Sequence, residues 1–218
     1  YKNFQGIETE GSRIRAKAGS MLASISQAAR EAGLSGMEFA SGIPGTLGGG
    51  VRMNAGAYGG EMKDIVQKVT VLTREGEILE LEKEKLAFGY RTSVIREKGY
   101  LVLGAELMLV PGEKEEILAR MQELKRRRVE KQPLEYPSAG SAFKRPEGYF
   151  AGKLVQDAGL SGYAVGGAKV SEKHCGFLIN AGNATASDVM ELIRQIQAKV
   201  KEQFGVQLEP EIQFLGNF

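Results

Sequence analysis

The chain has 218 residues, 42% hydrophobic and 26% charged, with a formal net charge of +2 at pH 7. That length suits one large or two small domains, the composition is that of an ordinary soluble globular chain, and so small a charge gives no ground for expecting nucleic acid as a partner. Cys175 is the only cysteine, which excludes an intrachain disulfide and suits a reducing cytoplasm, and no apolar run is long enough to span a bilayer, so no membrane partner is expected.

In chain order, residues 1–19 read as a hairpin entered midway, with 13–18 as a strand. Ser20 is expected to cap a helix that places Leu22, Ile25 and Ala29 on one face and stops at Gly33. Residues 39–60, F-A-S-G-I-P-G-T-L-G-G-G-V-R-M-N-A-G-A-Y-G-G, hold eight glycines and Pro44. Glycine weakens helices and strands, so such a run predicts a backbone that bends sharply or lies close to something. The expectation is a cradle whose N–H groups face a flat or anionic ligand, with Thr46 and Asn54 adding side-chain hydrogen-bonding groups. A flexible linker is the plainer alternative, but linkers seldom interleave glycine with Ile43, Leu47, Val51 and Met53. The run is neither G-x-G-x-x-G after a strand nor a Walker loop.

Val69, Val71 and Thr73 then alternate into the turn Glu75-Gly76, and 78–81 returns, the pattern of a hairpin. Residues 101–110 read as a strand, Pro111-Gly112 as a break, and 113–129 as a helix with Ile117, Met121 and Leu124 on one face. Its basic run 125–128 reads first as a solvated face, and second as an attraction for an anionic ligand. Residues 132–140, with Pro133 and Pro137, read as an extended linker and domain boundary. A second unit follows, with a small helix near 151–158 and strands around 168–170 and 176–180. Thr185 and Asp188 form a capping box that opens a long helix with Val189, Ile193, Ile196 and Val200 as its buried stripe. His174 is the only histidine; with no cluster of histidine or cysteine around it, no metal site is expected and a structural role is its plain reading.

Four stretches carry a family resemblance. They are G-I-P-G-T-L-G-G with M-N-A-G-A-Y-G, F-G-Y-R-T-S at 88–93, S-A-G-S-A-F-K at 138–144, and L-E-P-E-I-Q-F-L-G at 208–216. In this order, over nearly the whole chain, the sequence resembles the UDP-N-acetylenolpyruvoylglucosamine reductase family. The resemblance implies an α+β fold in two lobes: the remaining part of a vanillyl-alcohol-oxidase-type FAD-binding domain at 1–130, a smaller α+β substrate domain at 131–206, and a tail, 207–218, that returns to the active site. It implies FAD and NADPH as cofactors and a nucleotide sugar as substrate, reduced from an enolpyruvyl ether in peptidoglycan precursor synthesis in the cytoplasm. It also implies further residues ahead of Tyr1, including a second glycine-rich loop, so that the chain is expected to be a piece whose FAD site a separate N-terminal segment completes.

The site residues follow from the same motifs. FAD falls to Gly42, Ile43, Pro44, Gly45 and Thr46, then Gly48 and Gly49, then Asn54, Gly56 and Ala57. Catalysis falls to Ser141 as proton donor, with Arg91 and Glu211. Without the resemblance, Ser141 reads as a turn residue after Gly140, and Arg91 and Glu211 as surface ion-pair partners. Arginine suits a carboxylate because its planar fork keeps its charge and bonds at two points. Glu209 stands near Glu211, but the motif places the role after Pro210. Tyr90, Arg145 and Tyr149, with Lys153, Lys173 and His174, are the residues implied for the nucleotide sugar. The short spacing from Arg91 to Ser141 resembles the compact branch of the family, which lacks a loop carrying a substrate-contacting tyrosine. Arg145 stands where many relatives have asparagine. Two other readings stay open: another flavin oxidoreductase of the same fold, or a non-catalytic fragment that binds the nucleotide sugar.

Overall fold

Ile7–Glu10 and Arg13–Lys17 pair antiparallel around Gly11, whose φ of +56° makes the tight turn, in the computed structural model, which describes residues 3–216. Ile14 and Ala16 are buried while Arg13, Arg15 and Lys17 are exposed, the period of two expected of a sheet with one wet face. Arg13–Lys17 pairs with Leu101–Met108, which pairs in turn with Val66–Leu72, and Ile78–Glu82 closes the edge, all antiparallel. The wet face carries cross-strand ion pairs, among them Arg15 with Glu106 at 2.9 Å and Lys68 with Glu80 at 3.2 Å. The other face packs Ile14, Val69, Val71 and Leu107 against the helix Leu22–Glu31 and against Leu47 and Val51.

Two expectations fail here for physical reasons. Ser20 does not cap the first helix: Met21 is the cap residue and makes no side-chain cap bond. Ser20 is instead buried, and its hydroxyl accepts the Gly6 N–H at 3.1 Å and donates to the Gly6 carbonyl at 3.0 Å. The helix start is held by Gly45, whose carbonyl accepts the Leu22 N–H at 3.0 Å. Nor is the glycine segment all loop, because Leu47–Arg52, L-G-G-G-V-R, forms a helix. A glycine costs such a helix about 1 kcal/mol relative to alanine. Tertiary fit overrides that propensity: Leu47 and Val51 are fully buried, and a Cβ on Gly48 would stand 3.1 Å from that of Ala18.

The chain divides into two compact units, Tyr1–Arg126 and Arg127–Phe218. The division falls inside the helix Lys114–Lys131, which buries Ile117 and Leu124 and leaves Met121 half-buried. Lys125, Arg126 and Arg127 are exposed.

In the second unit Ser138–Ser141, Phe177–Asn180, Ala168–Val170 and Ala164–Val165 form an antiparallel sheet in that order. The stretch expected to be an extended linker therefore ends in a strand. The helix Ala186–Phe204 buries Leu192, Ile193, Ile196 and Val200; Val189, expected in that stripe, is only partly buried. Its capping box is as the sequence predicts: Thr185 Oγ1 accepts the Asp188 N–H at 3.1 Å and Asp188 accepts the Thr185 N–H at 2.9 Å. The Thr185 amide, then its hydroxyl, hold the Asp188 carboxyl below the usual carboxylate range.

Beyond that helix the tail lies against the strand end that follows Ser141. Lys144 N–H donates to the Glu209 carbonyl at 2.8 Å, and Glu211 N–H donates to the Ala142 carbonyl at 2.9 Å. Phe143 and Pro210 sit opposite each other in this antiparallel bridge, and Leu208 is fully buried in the core of the same unit.

Candidate active site

In the first unit, the glycine segment offers fewer free amides than the sequence suggests. Leu47 N–H donates to the Ser20 carbonyl at 2.8 Å and Gly48 N–H to the Ala18 carbonyl at 2.9 Å. Two of the donors at the start of this short helix are therefore spent within the protein. Gly45 and Gly49 differ: a Cβ on Gly45 would meet nothing within 4 Å, and one on Gly49 would meet only Thr46 Oγ1, at 3.9 Å. Thr46, Gly48 and Gly49 line one side of a cleft of about 700 Å³, with Phe4, Tyr100 and Leu101 also in its wall. Arg52 and Arg74 line it too, and no carboxylate is among the described residues that do. A cleft of that size with glycine backbone and two guanidiniums in its wall suits a ligand that is flat in one part and anionic in another. Gly42, Ile43 and Pro44 precede these residues in sequence and are not in its wall, and the Ile43 N–H is taken by the Ala40 carbonyl at 3.1 Å.

Asn54, expected to touch the cofactor, is fully buried and its side chain is committed elsewhere. Its Nδ2 donates to Glu61 Oε2 at 2.7 Å and to the Gly89 carbonyl at 3.0 Å, and its Oδ1 accepts the Lys63 N–H at 2.9 Å. It is thus a strut between the glycine segment and the loop of F-G-Y-R-T-S. That loop has two further ties: Ser93 Oγ donates to the Arg52 carbonyl at 2.6 Å, and Arg91 Nη2 donates to the Gly56 carbonyl at 3.1 Å. Gly56 and Ala57 pair with Gly60–Glu61, where a Cβ on Gly56 would stand 2.8 Å from the Gly60 carbonyl oxygen, so the hairpin admits no side chain there.

Arg91 has φ +55°, a left-handed backbone that costs a residue with a Cβ about 1–2 kcal/mol. Such a conformation persists only where its surroundings over-determine it. The ties through Asn54 and Ser93, with Arg96 Nη1 donating to the Arg91 carbonyl at 2.8 Å, supply that determination. The Arg91 guanidinium also lies 5.1 Å from the ring centre of Tyr90. Sequence reasoning missed Ser93 and Arg96 as supports. Ser93 could have been found as a polar residue opening the helix Val94–Lys98, whereas Arg96 gives no signal. Asn54→Ala should destabilise the first unit by about 3 kcal/mol, because the three hydrogen bonds of a fully buried side chain are lost and alanine adds strain at φ +47°. A urea midpoint equal to that of the unmodified protein would show that the strut carries no load.

In the second unit, Ser141 ends its strand exposed, and its Oγ donates to the Phe143 carbonyl at 3.2 Å. The tail places Glu211 opposite Ala142, the residue after Ser141, through the main-chain bond already described, so residues far apart in sequence are brought together. Lys153 pairs with Asp157, and Lys173 Nζ lies 3.7 Å from Glu135 Oε2. Such exposed pairs are worth about 0–1 kcal/mol and exchange readily for an anionic ligand. Arg145 lies over the Phe150 ring at 4.1 Å, and Tyr149 is exposed. His174 Nδ1 accepts the Gly176 N–H at 3.0 Å. A Cβ on Gly152 would stand 3.1 Å from His174 Cε1, so the helix Ala151–Asp157 carrying Lys153 packs against the turn carrying Lys173 and His174.

Comparison with known proteins matches each unit separately. A model of the FAD binding domain family matches residues 1–82, and a model described as UDP-N-acetylenolpyruvoylglucosamine reductase, C-terminal domain, matches residues 132–215. A UDP-N-acetylenolpyruvoylglucosamine reductase of Agathobacter rectalis is 60% identical over 94% of this chain and 65% of its own length. One of Caldanaerobacter subterraneus subsp. tengcongensis is 57% identical over 98% of this chain and 71% of its own. The chain thus spans about two thirds of the length of these relatives. The crystal structure of UDP-N-acetylenolpyruvylglucosamine reductase from Thermus caldophilus superposes with a TM-score of 0.84 at 42% identity, covering 97% of this chain and 74% of that one. The fold class is as the sequence predicts, with part of a FAD-binding domain followed by a smaller α+β domain.

Proposed function

The chain belongs to the UDP-N-acetylenolpyruvoylglucosamine reductase family, and from that premise we propose that it is a flavoprotein that reduces UDP-N-acetylglucosamine enolpyruvate to UDP-N-acetylmuramate with NADPH, in peptidoglycan precursor synthesis in the cytoplasm. The observation that supports the reading is the tail segment, in which the Glu211 N–H donates at 2.9 Å to the carbonyl of Ala142, the residue that follows Ser141. No helix among the described residues is long and apolar enough to cross a membrane.

The residues that would hold FAD are Gly42, Ile43, Pro44, Gly45 and Thr46, with Gly48 and Gly49. The open space beside Gly45 and Gly49 and the carboxylate-free lining of the cleft support that fit. Asn54, Gly56 and Ala57 serve that site through the backbone they hold. When bound, FAD supplies the hydride for the methylene carbon of the enolpyruvyl group, having taken it from NADPH.

The chain's own residues manage the charge and the proton. As the methylene carbon becomes a methyl, negative charge builds on the neighbouring carbon and its carboxylate. The Arg91 guanidinium answers that carboxylate at two points, an electrostatic role that a preorganised loop fills without reorganisation. Glu211 shares the stabilisation of the intermediate. Ser141 Oγ leaves the Phe143 carbonyl and gives its proton to the carbon next to the new methyl. A hydroxyl is a weak acid in water, so its contribution depends on placement, and a well-placed general acid contributes about 10²–10⁴-fold. Tyr90, Arg145, Tyr149, Lys153, Lys173 and His174 are assigned to the nucleotide sugar, with Arg145, Lys153 and Lys173 as the cations that answer its diphosphate.

The test is steady-state NADPH oxidation. It should depend on the enolpyruvyl nucleotide sugar and be silent with lactate-type substrates and oxygen. Turnover with a hydroxy acid and oxygen would favour another flavin oxidoreductase of this fold. A purified protein that binds the nucleotide sugar but shows no flavin absorption band and no turnover would leave a binding module.

A further inference from the structure

We infer that His174 is a positioning residue: its neutral ring, protonated on Nε2, accepts the Gly176 amide at Nδ1 and so fixes the main-chain rungs that hold Ser141 beside Glu211. This rests on the role proposed for Ser141. A ring nitrogen that accepts a hydrogen bond carries no proton, so the 3.0 Å bond from the Gly176 N–H sets the tautomer. Gly176 is then gripped on both sides, since its carbonyl accepts the Ala142 N–H at 2.8 Å. Ala142 passes the constraint on, its carbonyl accepting the Glu211 N–H at 2.9 Å. One ladder therefore runs from the imidazole through Gly176 and Ala142 to Glu211, and Ser141 is the residue next to its middle rung.

The ring is itself held. It meets the Phe177 ring edge-on at 5.1 Å, with 75° between the planes. The His174 N–H donates to Ser171 Oγ at 3.3 Å, and the His174 carbonyl accepts the Phe177 N–H at 2.9 Å. Gly152 closes the pocket: a Cβ there would stand 3.0 Å from the Gly176 nitrogen and 3.1 Å from His174 Cε1. Gly176 is buried, so losing the imidazole leaves its amide with no easy replacement from solvent. A phosphate contact would use the other nitrogen, Nε2, and the two roles separate by isosteres. Asparagine places an oxygen near Nδ1, the acceptor of an Asx-type turn to the amide two residues on, whereas glutamine places its head near Nε2.

His174 is the only histidine of the chain, so protein labelled with ¹⁵N-histidine gives one pair of ring signals. The expected spectrum in mildly alkaline buffer has Nδ1 unprotonated and Nε2 protonated; a proton on Nδ1 overturns the inference. Amide exchange at Gly176, Ala142 and Glu211 is then compared in H174N, H174Q and H174A. H174N should stay within about twofold of the unmodified protein, and H174Q and H174A should exchange about five- to tenfold faster at all three amides. H174Q protecting these amides as well as H174N overturns the inference. Gly152→Ala, which leaves the imidazole in place but crowds it, should speed exchange at Gly176 and Ala142, and unchanged exchange there likewise contradicts the clamp. The rate constant for enolpyruvyl reduction at saturating nucleotide sugar, where a lost phosphate contact at Nε2 no longer limits binding, should follow the same order, with H174N rescuing what H174A loses. If exchange follows the order and the chemical rate does not, the clamp stands and the role of Ser141 is what fails.

Discussion

Ser141→Ala should leave the reduction of bound flavin by NADPH intact and slow the reduction of the enolpyruvyl substrate by about 100-fold or more. The two halves part because the proton is needed only in the second. The strand should survive the change, because its register is set by main-chain bonds at Ala142 and not by the serine hydroxyl. That hydroxyl makes one modest bond, to the Phe143 carbonyl at 3.2 Å, so its removal costs little stability. Stopped-flow absorbance separates the halves. Equal slowing of both would mean that Ser141 is a structural residue.

Arg91→Lys should be nearly as harmful as Arg91→Ala, within about threefold, each losing about 10²-fold in kcat. Lysine keeps the charge but not the planar fork. It also cannot reproduce the contact to the Gly56 carbonyl while addressing a carboxylate at two points. The loop itself should hold, since Asn54 binds the Gly89 carbonyl, Arg96 binds the Arg91 carbonyl, and the loop's own Ser93 hydroxyl is tied to the Arg52 carbonyl. The loss should therefore appear in kcat more than in KM, the mark of an interaction made in the transition state. A lysine variant with near-normal kcat would show that charge alone suffices.

Periodicity carried much of the fold. The burial of Ile14 and Ala16 between exposed neighbours, and the Thr185–Asp188 box, were legible because each depends on residues close in sequence. Ser20 was misread for the opposite reason: its partner, Gly6, lies across the hairpin, and nothing local distinguishes a buried bridge from a cap. The helix in L-G-G-G-V-R was hidden because helix propensity argues against it and its support, Ala18 and Leu22, belongs to other elements.

The site was legible only as far as motifs reach. They single out Arg91, Ser141 and Glu211 as the proposed catalytic residues, but not the hydrogen bonds that hold their backbones. Asn54 was named as a cofactor residue, because a polar residue in a glycine run looks ligand-facing; its three bonds to Glu61, Gly89 and Lys63 join residues that no local pattern connects. His174 was placed by motif near phosphates, while the bond from its own turn, two residues on, has no sequence signal beyond the glycine at 176.

The most direct measurement is an anaerobic single turnover of the reduced flavoprotein with UDP-N-acetylglucosamine enolpyruvate, followed by flavin absorbance and by the mass of the product. The account predicts reoxidation of the flavin at a rate no slower than steady-state turnover, and a product heavier than the substrate by one hydride and one proton. Reoxidation that needs oxygen, with the enolpyruvyl compound recovered unchanged, would contradict it.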